Sequence, residues 1–433
     1  MTTSGKPLRI GIAGLGTVGG GTLRLLRANA ELLAARTGRA LAITAVSARD
    51  PGRRRDLDLE GLRWHDDAKA LATDPEVDLV CELIGGSDGV ALELARAALG
   101  RGKPLVTANK AMLAHHGPEL AQLAEDAGTA LGFEAAVAGG IPIIKSLRQG
   151  LAANRIGRVA GILNGTCNFI LTTMRETGRG FADALAEAQA LGYAEADPGF
   201  DVDGIDAAHK LALLAALAFG GRPRFDAIEI EGIRHVSAVD IAFADQLGYR
   251  IKLLGVARLT SSGLEQRIGP CMVPASAPIA QVEGVLNGVV VEGDQVGAVV
   301  HEGRGAGAGP TASAVVADIV DIARGLEIPV FGVPAASLAD HAIAPISAHQ
   351  GCYYIRLMVL DQPGVLADIS AVLRDHDVSI ESLIQRGRNP GQAVPIVLTS
   401  HDTTEAAMRG ALEQLGALPS VLEPPRMIRI ERS

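Results

Sequence analysis

The chain has 433 residues, a formal net charge of −9, 48 % hydrophobic and only 3 % aromatic residues. That length suggests about three domains. The acidic balance, with no long basic stripe, argues against a nucleic-acid partner. The longest apolar run, near Leu211–Phe219, falls well short of the ~18 residues of a membrane span. MTTSGKPLR has no apolar leader and runs straight into a strand. Cys81, Cys167, Cys271 and Cys352 are scattered, which fits small buried side chains in a reducing compartment and not a disulfide frame or zinc site. A soluble cytoplasmic protein with no membrane partner is expected.

In chain order, the apolar run Leu8–Ala13 reads as a strand ending in glycine, followed by a helix over Val18–Ala35. Strands are expected at Ala42–Ser47, Val77–Ile84, Leu105–Thr107 and Ala130–Ala136, with a helix at Pro118–Ala127 before the last. Strands alternating with helices predict an α/β class, a Rossmann-type doubly wound parallel sheet. From Arg158 the pattern changes to α+β: strands at Val159–Leu163 and Tyr249–Leu259, helices at Ala182–Leu191 and Ile205–Phe219. A glycine-rich loop then opens an apolar helix within 303–324. Pro- and Ala-rich sequence from Ile328 to His349 reads as a linker. The remainder reads as strand Tyr353–Leu360, helix Val365–His376, strand Val378–Gln385, a hairpin at Gly387–Gly391, strand Val394–Thr399, helix Thr404–Leu415 and strand Met427–Ile430. That order, βαββαβ, is a ferredoxin-like unit.

Gly14, Gly16 and Gly19 form G-x-G-x-x-G between a strand and a helix, the context that makes this pattern informative. Gly14 permits the tight turn, Gly16 admits a pyrophosphate and Gly19 packs helix on strand. The helix start offers free N–H groups to phosphate. The alternative is an ordinary glycine-rich turn. After the second strand come Arg49, which suits a 2′-phosphate, and Asp50, which suits a ribose 2′-hydroxyl; Arg53 to Arg55 tilt the balance towards NADP with NAD tolerated. A solvated loop pair is the alternative reading.

Lys110, after Thr107-Ala-Asn, sits where ligands bind at the end of a parallel sheet, and reads either as a substrate-orienting cation or as a surface charge. The stretch from Gly192 carries Glu195, Asp197, Asp201, Asp203 and Asp206 ahead of Lys210. One reading is a solvated loop with an i,i+4 ion pair contributing ~0.3–0.5 kcal/mol. The other holds an ammonium-bearing substrate on the acids, with Lys210 as proton donor. A calcium loop is a third, but the closing Glu of an EF-hand is missing. Asn164 and Asn168 follow a strand and precede a helix, where they can cap it or contact ligand, capping being the simpler explanation. His115–His116 lacks a third ligand at metal spacing.

Taken together, GLGTVG, CELIGG (81–86), TANKAML (107–113), FEAAVAGGIPII (133–144), NGTCNFIL (164–171), GYAEADP…DVDGIDAAHK and GRGAGAGPTASAVV resemble the homoserine dehydrogenases. The end unit resembles ACT domains. The resemblance implies NAD(P)-dependent interconversion of L-homoserine and L-aspartate 4-semialdehyde, in threonine, methionine and isoleucine biosynthesis. It implies Lys210 as proton donor and Lys110 at the cofactor–substrate junction. Glu195 and Asp206 would bind homoserine, with Asp201 and Thr166 beside them. Cofactor contacts would come from Gly14, Gly16, Thr17, Val18, Gly19, Arg49, Thr107, Lys110, Gly192, Gly303, Gly305 and Gly307. A monovalent cation, commonly sodium in such enzymes, would lie among Glu134, Val137, Gly139 and Ile141, largely on carbonyl oxygens. Cys167 stands where threonine is usual.

The domains implied are a dinucleotide-binding domain over 1–140 with the 305–325 helix packed back on it, a substrate domain over 141–330, a linker over 331–351 and an ACT domain over 352–433. The ACT unit implies threonine as effector, against a module kept only for dimerisation, and a homodimer or homotetramer. Two other functions compete: a dehydrogenase of another small amino or hydroxy acid, and a nucleotide-binding sensor without catalysis. A sensor has no need of a proton donor such as Lys210.

Overall fold

The computed structural model describes residues 5–52, 56–385 and 391–431. The chain forms two compact units, one from 1–165, 206–228 and 285–341 and the other from 166–205, 229–284 and 342–433.

In the first unit, short Val-, Ile- and Leu-rich runs build a six-stranded sheet. Its strands are β1 (Gly5–Ala13), β2 (Arg39–Ser47), β3 (Arg63–His65), β4 (Leu79–Glu82), β5 (Leu105–Thr107) and β6 (Leu131–Gly132). Their spatial order is β3-β2-β1-β4-β5-β6, with every neighbouring pair parallel. The order reverses between β1 and β4, and in open α/β sheets ligands bind at the carboxyl ends of the strands beside such a reversal. The predicted α/β class with a doubly wound parallel sheet is what the structure shows.

Three local expectations differ from the structure, each for a local reason, and one strand had no expectation. The single helix over Val18–Ala35 breaks at Asn29 into Thr17–Ala28 and Ala30–Thr37; asparagine competes poorly for helical backbone. The helix expected at Pro118 starts at Lys110, because Asn109 caps it by accepting from the Met112 N–H (3.1 Å), and Pro118 lies inside it. The strand expected over Ala130–Ala136 shrinks to Leu131–Gly132, as the chain turns at Glu134, whose N–H donates to Asp318 (2.8 Å). β3 went unpredicted: three residues carry no periodicity. Asp74 holds β3 in place, taking Arg63 (2.7 Å) and His65 (2.8 Å). Burial works to raise the Asp74 carboxyl, but the Glu76 N–H, His65 and Arg63 hold it at about 2.

Helix Ala308–Ala323 lies against helix Thr17–Ala28, with Val315, Ile319 and Val320 in the same core as Leu23, Leu26 and Ile12. The approach is close: a Cβ on Gly21 would lie 2.6 Å from the Ala308 carbonyl oxygen. Three antiparallel strands complete the unit, with Leu286–Gly293 between Ile156–Ile162 and Gly297–Arg304. Helix Ile205–Phe219 is Ala- and Leu-rich, the composition that favours helix, and it stops at Gly220 in the left-handed region (φ 62°). From Asp206 to Leu217 every residue of it is buried.

The second unit contains the long hairpin Tyr249–Thr260 with Gly263–Pro274. Its C-terminal part has strands Gln350–Leu360, Ile380–Gln385, Ala393–Ser400 and Arg426–Ile430, with helices Val365–Asp375 and Glu405–Gly416. The spatial order of the four strands is last, first, third, second, all antiparallel, as a ferredoxin-like βαββαβ unit requires. Residues 387–390 of the expected hairpin, like Arg53 to Arg55, lie outside the described residues. Buried ion pairs tie this part to the rest of its unit: Arg356 donates to Asp240 (2.7 Å), and Arg267 pairs with Glu431. Among the described residues no helix is long and apolar enough to cross a membrane.

The Gly21 contact makes the first prediction. Gly21→Ala forces the two helices apart and is expected to cost about 1–3 kcal/mol, the usual penalty for overpacking. Thermal denaturation should show a lowered Tm; an unchanged Tm would mean that the helices do not pack this closely.

Candidate active site

At the end of β1 the backbone of Gly14 donates to Ser47 O (2.8 Å) and turns through φ 94°. Three glycines are needed here for three reasons. A Cβ on Gly14 would lie 2.3 Å from Leu83 O, and one on Gly19 would lie 1.8 Å from Gly14 O. Gly16 has nothing within 4 Å, leaving open space at the start of helix Thr17–Ala28. That helix has no side-chain cap and no acid in its first turn, Thr17 is exposed and Val18 half-buried. Free N–H groups and a positive helix end beside an open glycine suit a pyrophosphate. This cradle fits a dinucleotide.

Next along the sheet edge, Glu82 at the end of β4 is fully buried. Its carboxylate accepts from the Ile84 N–H (2.8 Å), the Gly85 N–H (3.1 Å) and the Thr107 hydroxyl (2.6 Å). Thr107 in turn accepts from the Asn109 N–H (3.0 Å), and the Asn109 amide donates to Gly86 O (2.7 Å). Thr107, expected to touch cofactor, therefore spends its hydroxyl on shaping the loops after β4 and β5. Those loops deliver Lys110 as the first residue of its helix.

Lys110 meets Asp206 there. The Asp206 carboxylate, 8 % exposed, takes Lys210 Nζ on one oxygen (2.7 Å) and Lys110 Nζ on the other (3.0 Å). The Asn164 amide donates to it as well (2.9 Å), and Lys210 Nζ also donates to Leu163 O (2.7 Å). Asn164, directly before helix Gly165–Thr177, thus gives its amide N–H to a buried charge, a charge-assisted bond. Burial alone would raise the Asp206 carboxyl, but the charges of Lys210 and Lys110 and the hydrogen bonds from Lys210 and Asn164 hold it far below the usual carboxylate range. Two ammonium groups converge on one carboxylate, one of them partly accessible with its side chain 30 % exposed.

The other acids lie in the second unit. Glu195 is exposed, with its carbonyl accepting from the Gln189 amide (2.9 Å), and Asp201 is half-buried, with its carbonyl accepting from the Cys167 thiol (3.3 Å). Thr166 donates its hydroxyl to Tyr193 O (2.7 Å), and Gly192 (φ 75°) ends helix Phe181–Ala190 nearby. Thr166 and Gly192 thus shape the 192–197 loop. Asp203 pairs with Arg234 at the surface.

Glu134 is buried beside Asp318, and burial together with that neighbour pushes its carboxyl up to about 7, against hydrogen bonds from the Ile144 and Lys145 N–H groups (both 2.9 Å). The turn that follows has positive φ at Ala138 (53°) and Gly139 (49°). Among the described residues no group of three or more His, Cys, Asp or Glu is arranged to hold a metal. A cation here would rest on one carboxylate and backbone carbonyls, the donor set of a hard monovalent ion. A buried carboxyl with this destabilised charge fits such an ion. Gly140 donates to Arg304 O (3.0 Å), and a Cβ on Gly139 would lie 2.4 Å from Gly305 O, so this turn packs backbone to backbone on the 303–307 turn. Gly303 and Gly305 are half-buried, and Gly307 (φ 116°) is exposed. Arg49 and Asp50 are exposed beyond β2, and Asp50 accepts from the Gly52 N–H (2.8 Å).

Comparison with known proteins decides the family. The family description "Homoserine dehydrogenase, NAD binding domain" matches residues 14–134, "Homoserine dehydrogenase" residues 142–320 and "ACT domain" residues 353–420. A homoserine dehydrogenase of Pseudomonas aeruginosa is 48 % identical, over 99 % of both chains. The chain belongs to the homoserine dehydrogenase family. The solved structure of a homoserine dehydrogenase from Thiobacillus denitrificans is 46 % identical over 98 % of both chains, with a TM-score of 0.93. A hyperthermophilic archaeal homoserine dehydrogenase mutant in complex with NADPH is 27 % identical, covering 74 % of this chain and 99 % of that one, with a TM-score of 0.64. The protein is thus an NAD(P)-dependent oxidoreductase of this family with a C-terminal ACT domain.

The sign of the Asp206 shift fixes a pH dependence. Its folded value lies below the unfolded one of about 3.9, so the stability it contributes is fully present above about pH 4 and lost as pH falls through the folded value. Asp206→Asn leaves two ammonium groups without their counter-charge. The expected gap in Tm between wild type and variant is full at neutral pH and narrows in acid. A gap that stays constant into strong acid would show Asp206 to be ordinary.

Proposed function

We propose that the chain oxidises L-homoserine to L-aspartate 4-semialdehyde and catalyses the reverse reduction, with Lys210 as the proton carrier. The observation that supports this is the convergence of Lys110 and Lys210 on buried Asp206. A bound nicotinamide supplies or accepts the hydride at its C4. In reduction, the aldehyde oxygen gains charge as hydride reaches its carbon, and the Lys210 ammonium delivers the proton that makes the hydroxyl. Asp206 keeps that ammonium aimed, and Asn164 keeps Asp206 in place. Lys110 orients the same oxygen at the cofactor–substrate junction and stabilises the charge developing on it. Glu195 and Asp206 hold the substrate ammonium, with Asp201 and Thr166 shaping the binding loop.

The dinucleotide rests on Gly14, Gly16, Thr17, Val18 and Gly19 with support from Thr107, Gly192 and the turn of Gly303, Gly305 and Gly307. Asp50 is engaged in its own turn while Arg49 is exposed, an arrangement that favours a 2′-phosphate and hence NADP over NAD. The NADPH complex of the archaeal relative is in keeping with this. Glu134, with the carbonyls of Val137, Gly139 and Ile141, would hold a monovalent cation, sodium being the fitting choice, in a structural role. The 1–140, 141–330 and 352–433 divisions serve as dinucleotide, substrate and regulatory domains. The ACT domain takes threonine as effector, and the enzyme works as a cytoplasmic homo-oligomer in the synthesis of threonine, methionine and isoleucine.

Absorbance at 340 nm with homoserine and NADP or NAD tests the reading. Cofactor reduction is expected only when homoserine is present, faster with NADP, and suppressed by threonine. Lys210→Ala should lower kcat by about 10²–10⁴ and leave cofactor affinity nearly unchanged. Near wild-type turnover in that variant would remove Lys210 from the chemistry.

A further inference from the structure

Asn287 is the second residue of strand Leu286–Gly293, in register opposite Gly303. It is 1 % exposed, yet neither its Oδ1 nor its Nδ2 has a hydrogen-bond partner among the described residues. Buried amides are rarely left so, and water or a ligand usually completes them. A leucine would fill a similar volume without desolvating a polar group, so packing alone does not call for an amide here.

Its surroundings say what the amide serves. A Cβ on Gly305 would lie 2.1 Å from the Asn287 carboxamide carbon, and the three nearest atoms to that Cβ are all in the carboxamide. On another side, a Cβ on Gly165 would lie 3.5 Å from Asn287 Oδ1, and Gly165 directly follows Asn164, the residue that holds Asp206. The carboxamide thus stands between the backbone next to the Asp206 cluster and the glycine at the centre of the 303–307 turn. Gly305 meanwhile has its carbonyl against Gly139. The turn is gripped from two directions, by the 137–141 backbone and by Asn287.

We propose that Asn287 is a positioning residue of the dinucleotide site: its carboxamide occupies the space beside Gly305, sets the path of the 303–307 turn, and completes its own hydrogen bonds through ordered water at the bound dinucleotide. It touches neither the proton path nor the reacting carbon and acts through the turn. The inference rests on the reading of that turn as a dinucleotide contact.

Three variants of the full-length chain, each followed by Tm, by NADPH binding through its fluorescence and by the split between kcat and KM, test it. Asn287→Leu is expected to keep or raise Tm while weakening NADPH binding about tenfold, with kcat at saturating cofactor changed less than about threefold. Gly305→Ala, whose methyl meets the Asn287 carboxamide first, should weaken NADPH binding by a similar factor. In the double variant Asn287→Ala/Gly305→Ala the clash is gone, so it should bind NADPH more tightly than Gly305→Ala alone. Asn287→Leu with wild-type NADPH affinity would overturn the role of Asn287 while the turn reading stands if Gly305→Ala still binds weakly. Wild-type affinity in Gly305→Ala would instead overturn the turn reading and the inference with it. If Asn287→Leu fails to fold, the double variant decides: binding no tighter than Gly305→Ala alone would contradict the proposal.

Discussion

One buried carboxylate organises the centre of the first unit. Asp206 stands on a helix buried along most of its length and carries two lysines and an amide on its two oxygens. An exposed Asp–Lys pair one helical turn apart contributes only ~0.3–0.5 kcal/mol. Breaking a buried pair by removing one partner costs about 3–5 kcal/mol, because the other charge is left desolvated. The same i,i+4 spacing therefore means different things at the surface and here, and burial decides between them. Asp206 also joins distant parts of the chain: Lys110 opens the helix after β5, Asn164 follows strand Ile156–Ile162, and Lys210 lies on its own helix.

Around that cluster the structure relies on close backbone approach. Gly14 against Leu83, Gly19 against Gly14, Gly139 against Gly305 and Gly305 against Asn287 are all contacts in which a methyl group would collide. They bring the loops after β1 and β4 together and lock the 137–141 turn to the 303–307 turn. Polar loops need partners when buried, and Glu82 supplies them for the loops after β4 and β5, accepting from two N–H groups and from Thr107.

Much of this was legible in the residues. The G-x-G-x-x-G between strand and helix marked the dinucleotide cradle, because each glycine has a steric reason visible in the pattern itself. The βαββαβ order of the C-terminal unit followed from periodicity and turn residues, and the helix over Ile205–Phe219 from its composition. The acids before Lys210 were found, but Asp206 could not be separated there from an ordinary surface pair, since burial is a tertiary property. Glu82 carries no signal of its own inside an apolar strand, where one acid looks like an interruption; its fully buried setting supplies the meaning. The bond from Asn164 to Asp206 could not be read there, because the two lie 42 residues apart in sequence. Asn287 had no signal at all beyond being a lone amide at a strand start. β3 and the break at Asn29 were lost for the opposite reason: three residues or one asparagine are too little sequence for a period to show.

The account depends on Asp206 holding the Lys210 ammonium in place and aimed. Its most direct test is homoserine turnover by Asp206→Asn at saturating homoserine and cofactor, alongside equilibrium binding of the dinucleotide. The account predicts a fall in kcat of about a hundredfold or more with dinucleotide affinity within about threefold of wild type. Wild-type turnover in that variant would contradict it and reduce the cluster to a structural ion pair.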